Sequence, residues 1–502
     1  MSFKNKLMSK IPTTYILHKS SNKKEAKLII KGYKAIRKNN LFDDDFYLNK
    51  YPKVKNSGMD PLLHYIFFGF DEGKKPNSYF DGLFYKYHYD DVNINPLVHY
   101  ALYGINENRQ IRVNNDNLTH FNNSNKINIL FVLHEKIDTI GGTGFTNLDI
   151  INSLNNKFQA FILTSDGEDV ELWKVDSTLE KIANFNYHPE KYEFSNSKLA
   201  DIYEEILSKL DIKIVHINHL INHTFDLIEI ANKKEIPYIL SIHDFYYICP
   251  SIHLIDENFN FCEFKCENCK FGNSLKNWQK HGFKLLKNAY LNVVPSLSVM
   301  ETYTSIYPDL NNFKLIEHGR NIKKSNIEPK LTKNPIKIVI PGHISQHKGS
   351  LLIKKIKDLD KTNSLELHFM GTSIPNLNKY GINHGRYERG DFNNIISKIN
   401  PSFVAILSTC PETFSHTLTE SWIAGIPVIA TNLGALKERI NKTGGGWLVD
   451  YKNPQKIYDT ILGIDDEDYL KKIENISKIK FRSIEDMTDE YNKIYGEITD
   501  EL

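Results

Sequence analysis

Short apolar runs alternate with helical patterns from about residue 126 to residue 482, and the alternation restarts once. Buried-strand runs occur at INILFVL (Ile127 to Leu133), FQAFILT (Phe158 to Thr164), KIVHIN (Lys213 to Asn218), YILSIH (Tyr238 to His243) and NVVP (Asn292 to Pro295). After NIEPKLTKNP (Asn326 to Pro335), the runs IKIVIPG, LELHFMG, FVAILS and PVIA repeat the pattern. Strands separated by helices predict parallel sheets, because a parallel neighbour is reached only through a long crossover. Two such series in one chain predict an α/β protein with two parallel-sheet domains, whose ligands gather outside the carboxyl ends of the strands.

The segment Pro411 to Glu438 supplies chemistry for such a crevice. Glu412 and Glu420 are separated by seven residues, and a helical pattern, a Gly-Ile-Pro turn and a strand run follow. This order predicts Glu412 on a loop and Glu420 on the first turn of a helix. A helix N-terminus offers unpaired N–H groups that suit a diphosphate. Two carboxylates beside an anion site suit the hydroxyls of a sugar and a ribose on either side of it.

This segment resembles the Glu-x7-Glu signature of retaining glycosyltransferases of the large family four, which have the GT-B fold of two Rossmann-like domains facing a cleft. Glu412, Phe414, Glu420, Ala424, Gly425, Pro427 and Val428 fall in register, while Thr413 and Ser415 replace glycines. The resemblance covers roughly residues 126–500. It implies that Glu420 holds ribose hydroxyls and Glu412 holds hydroxyls of the donor sugar. Backbone groups of Ser415, His416, Thr417 and Leu418, with Lys348 and Gly349, would stabilise charge on the departing diphosphate. In PGHISQHKGS, His343 stands where the family has arginine, and either His347 or Arg320 of IEHGRN would compensate. His243, at a strand end, is the expected catalytic partner of Glu412. The Gly-rich turn TIGGTGFTN places Gly141, Gly142 and Thr143 over the phosphates and the acceptor. The implied activity is metal-independent transfer from a nucleotide sugar to a bacterial O-antigen, capsule or other lipid-linked saccharide. A nucleotide-sugar epimerase on the same fold and a non-enzymatic glycan- or protein-binding module are the alternatives. Neither the donor base nor the sugar is specified.

Four of the five cysteines cluster as Cys249, Cys262, Cys266 and Cys269. Their terminal C-x3-C-x2-C spacing matches tetrahedral zinc chemistry, as a structural knuckle. An iron–sulfur cluster and four free thiols are the other readings.

The chain of 502 residues is long enough for about three domains. Upstream of the sheets, FDDDFYLNKYPKV (Phe42 to Val54) recurs as FDGLFYKYHYDDV (Phe80 to Val92), and PLLHYIFFGFDEGKKP (Pro61 to Pro76) recurs as PLVHYALYGINENRQI (Pro96 to Ile111). Each copy reads as two short helices joined by a turn, with His64 and His99 at matching positions inside a core. The expected organisation is a basic lead segment (1–40), a helical repeat module (41–113), a linker (114–125), an acceptor domain carrying the cysteines (126–325), a linker (326–335), a nucleotide-sugar domain (336–482) and a helix crossing back (483–502). Residues 1–40 hold eleven Lys or Arg and one acid, so the remainder is net acidic by about eight charges. Such a segment suits anionic lipid, at about 1 kcal/mol per basic residue near the surface. No nucleic-acid partner is expected. No apolar run is long enough to span a bilayer and no signal peptide is read, so the expected location is cytoplasmic, with contact at the inner membrane face.

Overall fold

The computed structural model describes residues 12–113, 115–122, 125–137, 142–165, 167, 169–185, 187, 193–267, 269–321, 327–388 and 390–501. The chain divides into two compact units, residues 1–237 and 238–502.

The first unit opens with helices Pro12–Lys19 and Lys23–Lys38, followed by the two homologous stretches. In each stretch local chemistry fixes the helix starts. Asp43 and Asp81 accept the N–H of Phe46 and Phe84 as N-caps, and Asp60 and Asn95 cap the helices that Pro61 and Pro96 begin. Helices Pro61–His64 and Pro96–His99 each run on into a π-turn, Tyr65–Gly69 and Tyr100–Gly104. The Tyr47 hydroxyl lies 3.0 Å from His64 Nδ1, and the Tyr85 hydroxyl lies 3.2 Å from His99 Nδ1. Burial lowers the pKa of both histidines, which favours neutral rings in these pairs.

Next come β1 (Ile127–Leu133), β2 (Phe158–Ser165), β3 (Val170–Val175), β4 (Leu179–Phe185) and β5 (Ile212–Ile217), in the spatial order β4-β3-β2-β1-β5. Strands β2 and β5 flank β1 in parallel, and all three are almost continuously buried, as strands covered on both faces must be. The antiparallel β3–β4 hairpin was not anticipated. Helix Gly82–His88 of the second repeat packs on β4. There the buried Lys181 ammonium meets Asp81 and Glu171, both at 2.7 Å.

The second unit begins with the parallel strands β6 (Tyr238–Ser241), β7 (Leu291–Val294) and β8 (Phe313–Leu315). A six-stranded parallel sheet then forms from β9 (Ile336–Ile344), β10 (Leu365–Ser373), β11 (Ile382–Asn383), β12 (Phe403–Ile406), β13 (Val428–Thr431) and β14 (Gly446–Val449), in the order β11-β10-β9-β12-β13-β14. Apolar cores lie on both of its faces, one around Ile338, Phe369 and Ile457, the other around Val339, Trp422 and Leu436. The last helix, Ile484–Asp500, starts with a capping box between Ser483 and Asp486. It packs back on the beginning of the unit: Tyr491 Oη lies 3.1 Å from Ser241 Oγ, and the Arg320 N–H donates to Arg482 O at 2.9 Å.

Candidate active site

At the carboxyl end of the six-stranded sheet, two carboxylates meet two cations. The turn after β9 positions Lys348. Gly349 has φ +87°, and a Cβ there would lie 2.1 Å from Leu407 O, so only glycine closes this turn. Lys348 Nζ donates to Glu412 Oε1 at 2.6 Å, and the Ser408 hydroxyl donates to the same oxygen. Burial alone would raise the Glu412 pKa, but the Lys348 charge and these hydrogen bonds outweigh it and hold the carboxyl below its ordinary range. Burial likewise opposes the Lys348 charge, and Glu412 more than restores it, raising its pKa. The Lys348 side chain keeps 39 % exposure, so solvent screens the pair and the ammonium remains within reach of a ligand.

Glu420 lies one turn deeper than expected. Helix His416–Ile423 starts four residues before it, so Glu420 belongs to the second turn rather than the first. Its carboxylate pairs with Arg320 Nη2 at 3.0 Å, and both side chains are about 5 % exposed. Arg320 is thus engaged with Glu420, 100 residues away in sequence.

Three histidines stack across the same region. His318 lies between His243 and His416, with ring centroids 5.7 and 5.1 Å away and interplanar angles of 17° and 24°. Burial and the neighbouring cations push the His318 pKa well below its ordinary value, so its ring is neutral. The Thr413 hydroxyl donates to His243 O at 2.8 Å, tying the Glu412 loop to the residue just after β6. His343 is exposed, 2.6 Å from Thr372 Oγ1. His347 stacks on His253 at 4.3 Å, and burial brings its pKa down to about 4. Ser415, Thr417 and Leu418 surround the start of the helix that His416 opens. Gly141 lies outside the described residues. Gly142 and Thr143 begin helix Gly142–Asn152, and their side chains lie outside the described ones.

Ser408, His253 and His318 were not picked out from sequence as site residues. Ser408 carried a signal, since it ends the FVAILS run and precedes Glu412 by four residues. His253 carried none, and His318 only its place in IEHGRN, because their contacts are made across loops far apart in the chain.

Among the described residues, no group of three or more His, Cys, Asp or Glu side chains is arranged to hold a metal ion. Cys249, Cys262, Cys266 and Cys269 instead line a cavity of about 550 Å³ with Phe261, Phe271 and Tyr451. The Cys249 and Cys269 sulfurs each accept a backbone N–H two residues on, from Ser251 and Phe271, at 3.4 Å. Burial, with a smaller effect of the other three cysteines, raises the Cys249 thiol to about 12.

Comparison with known proteins fits this geometry. Residues 335–465, which carry Lys348, Glu412 and Glu420, match the family of glycosyl transferases group 1. Over 159 residues the chain is 25 % identical to WcaC of Escherichia coli K12, designated a colanic acid biosynthesis glycosyl transferase. That match takes in 30 % of this chain and spans only 38 % of the relative's length. Over 375 residues it is 22 % identical to an uncharacterized 41.2 kDa protein of the cps region of Klebsiella pneumoniae, covering 69 % of this chain and 95 % of that one. The crystal structure of Anabaena HepE in complex with UDP superposes with a TM-score of 0.51 at 14 % identity, over 75 % of this chain and 100 % of the other. The fold is therefore GT-B, an α/β architecture with two parallel-sheet domains and a helical N-terminal region. Among the described residues no helix is long and apolar enough to cross a membrane.

Proposed function

We propose that this protein is a glycosyltransferase that moves a sugar, with retention of configuration, from a nucleotide-sugar donor to a bacterial surface polysaccharide or its lipid-linked precursor. The observation that carries the reading is the Lys348–Glu412 pair: a half-exposed ammonium held in the turn after β9, beside a carboxylate kept ionised. A diphosphate leaving group gains negative charge as the glycosidic bond breaks, and Lys348 with the N–H groups at the start of helix His416–Ile423 is suited to receive it. Glu412 accepts hydrogen bonds from the donor sugar. Glu420, oriented by Arg320, accepts them from the ribose. His243, Gly141, Gly142 and Thr143 serve the acceptor, and attack comes from the face the diphosphate leaves. No metal enters these steps. The domain limits given above, with the donor on residues 336–482, belong to the same proposal, as do a cytoplasmic location and contact of the basic lead segment with anionic lipid. UDP in the HepE complex and the colanic acid biosynthesis named for WcaC support the choice of donor class and acceptor class.

The test is thermal stabilisation by UDP, GDP, dTDP and their sugars on wild type, Glu412→Gln and Glu420→Gln. A ligand that binds only the folded state raises Tm, by an amount equivalent to about 2.7 kcal/mol at a concentration 100 times its Kd. One nucleotide class should stabilise the wild type, and both variants should weaken the response. A wild type indifferent to every nucleotide refutes the reading.

A further inference from the structure

Ser415 immediately precedes helix His416–Ile423 and has φ 71° and ψ 91°, in the left-handed region where glycine is at ease and serine is strained. Something must hold this turn, and Arg439 is placed to do it. From helix Gly434–Thr443, its Nη1 donates to Phe414 O at 2.9 Å and to Ser415 O at 3.1 Å, and its Nη2 donates to Thr419 Oγ1 at 2.8 Å. The guanidinium lies over the Phe414 ring at 4.0 Å and within 5.4 Å of the Trp422 ring. One planar fork therefore grips both sides of the strained residue and the first turn of the helix behind it.

The carboxylates near Arg439 have other partners. Glu438 accepts the N–H groups of Leu297 and Ser298, and Glu317 accepts Lys442 Nζ at 3.2 Å. The arginine charge is thus directed at carbonyl oxygens and an aromatic face rather than neutralised by an acid. Burial depresses its pKa to about 10, so it remains protonated at neutral pH. Lysine cannot reproduce this geometry, because its ammonium is a point donor and lacks the planar fork.

We propose that Arg439 is a positioning residue for the donor site: by clamping the Phe414 and Ser415 carbonyls, it keeps the N–H groups of residues 416–418 directed at the diphosphate. This inference rests on the functional reading above and names the part of the site that replaces the conformational freedom of a glycine at position 415. Arg439 does not itself touch the donor.

The experiment compares wild type, Arg439→Met, Arg439→Lys, Ser415→Gly and the double variant Ser415→Gly/Arg439→Met. Two readouts are taken: calorimetric binding of UDP, GDP and dTDP, and amide hydrogen exchange across residues 414–418. Arg439→Met should weaken nucleotide binding by about tenfold or more and speed exchange in this segment. Arg439→Lys should fall between wild type and Arg439→Met, and it serves if the methionine variant fails to fold. Ser415→Gly serves as the reference for the double variant, which should bind more tightly than Arg439→Met and close to that reference, because glycine adopts the turn unaided. Packing defects from the lost stack would not be rescued by a change at position 415. Unchanged binding in Arg439→Met and Arg439→Lys, or a double variant as weak as Arg439→Met, overturns the inference alone. A wild type that binds none of the three nucleotides overturns the functional reading and this inference with it.

Discussion

Two lysines, Lys181 and Lys348, each reach a carboxylate at hydrogen-bond distance, and their surroundings separate architecture from chemistry. Lys181 is closed in. Its side chain is 1 % exposed, it serves Asp81 and Glu171 together, and the Trp173 ring lies 5.2 Å from its ammonium. Burial opposes both carboxylates there: Lys181 still draws Asp81 below its ordinary pKa, whereas burial leaves Glu171 above its own. Lys348 serves one carboxylate and keeps a large part of its side chain in solvent. A sealed cluster has no room for a ligand, and its removal is felt by the fold. An open pair contributes little to the fold and leaves a cation available to one. The contrast appears again within the repeats, where Asp43 and Asp81 cap their helices identically but only Asp81 is recruited by Lys181.

Lys181→Met is the strongest challenge to this contrast. It leaves two buried acids uncompensated and should cost about 3–5 kcal/mol in urea unfolding. Loss of one hydrogen bond in each repeat is next: Tyr47→Phe and Tyr85→Phe should each cost about 1–2 kcal/mol, because a buried His ring nitrogen loses its partner. Similar costs for both would show that the two copies are held by the same contact, whatever Asp81 adds. Lys348→Ala should change stability by about 1 kcal/mol or less at neutral pH, while abolishing nucleotide stabilisation. A loss as large as that of Lys181→Met would break the comparison. The smallest effect is the pH dependence of the Lys348–Glu412 contribution. The folded pKa of Glu412 lies below its ordinary 4.5, so its share is present above 4.5 and is lost as pH falls through the depressed value. The folded pKa of Lys348 lies above its ordinary 10.5, so its share is complete below 10.5 and is lost as pH rises through the raised value. The stability difference between wild type and Lys348→Ala should therefore be flat between these limits and shrink in acid. A difference that grows on acidification would contradict the pairing.

What could be read in the chain was local. The apolar runs marked β1, β2, β5, β6, β7, β9, β10, β12 and β13 because strands buried on both faces need little but continuous hydrophobicity. The β3–β4 hairpin was missed because charged residues interrupt the apolar ones in VELWKV and LEKIANF, so that neither is a continuous apolar run. At the site, the spacing of Glu412 and Glu420 located the carboxylates. The partner of Glu420 was not legible, since Arg320 lies 100 residues upstream and reaches it only in the folded chain. The Arg439 clamp was hidden for the same reason: its value depends on a backbone angle at Ser415 that no spacing rule reports. The cysteine spacing suggested shared ligation, and in the folded chain the four residues line one cavity.

The helix at Ile484–Asp500 has a consequence for biosynthesis. Its Tyr491 hydroxyl meets Ser241 across 250 residues of sequence, and Gly319 packs against Ser483. A chain made from its N-terminus onward exposes β6 to β8 long before that cover exists, at roughly 5–20 residues per second. For tens of seconds on the ribosome this stretch waits for that helix, and the second unit cannot be finished before the helix emerges.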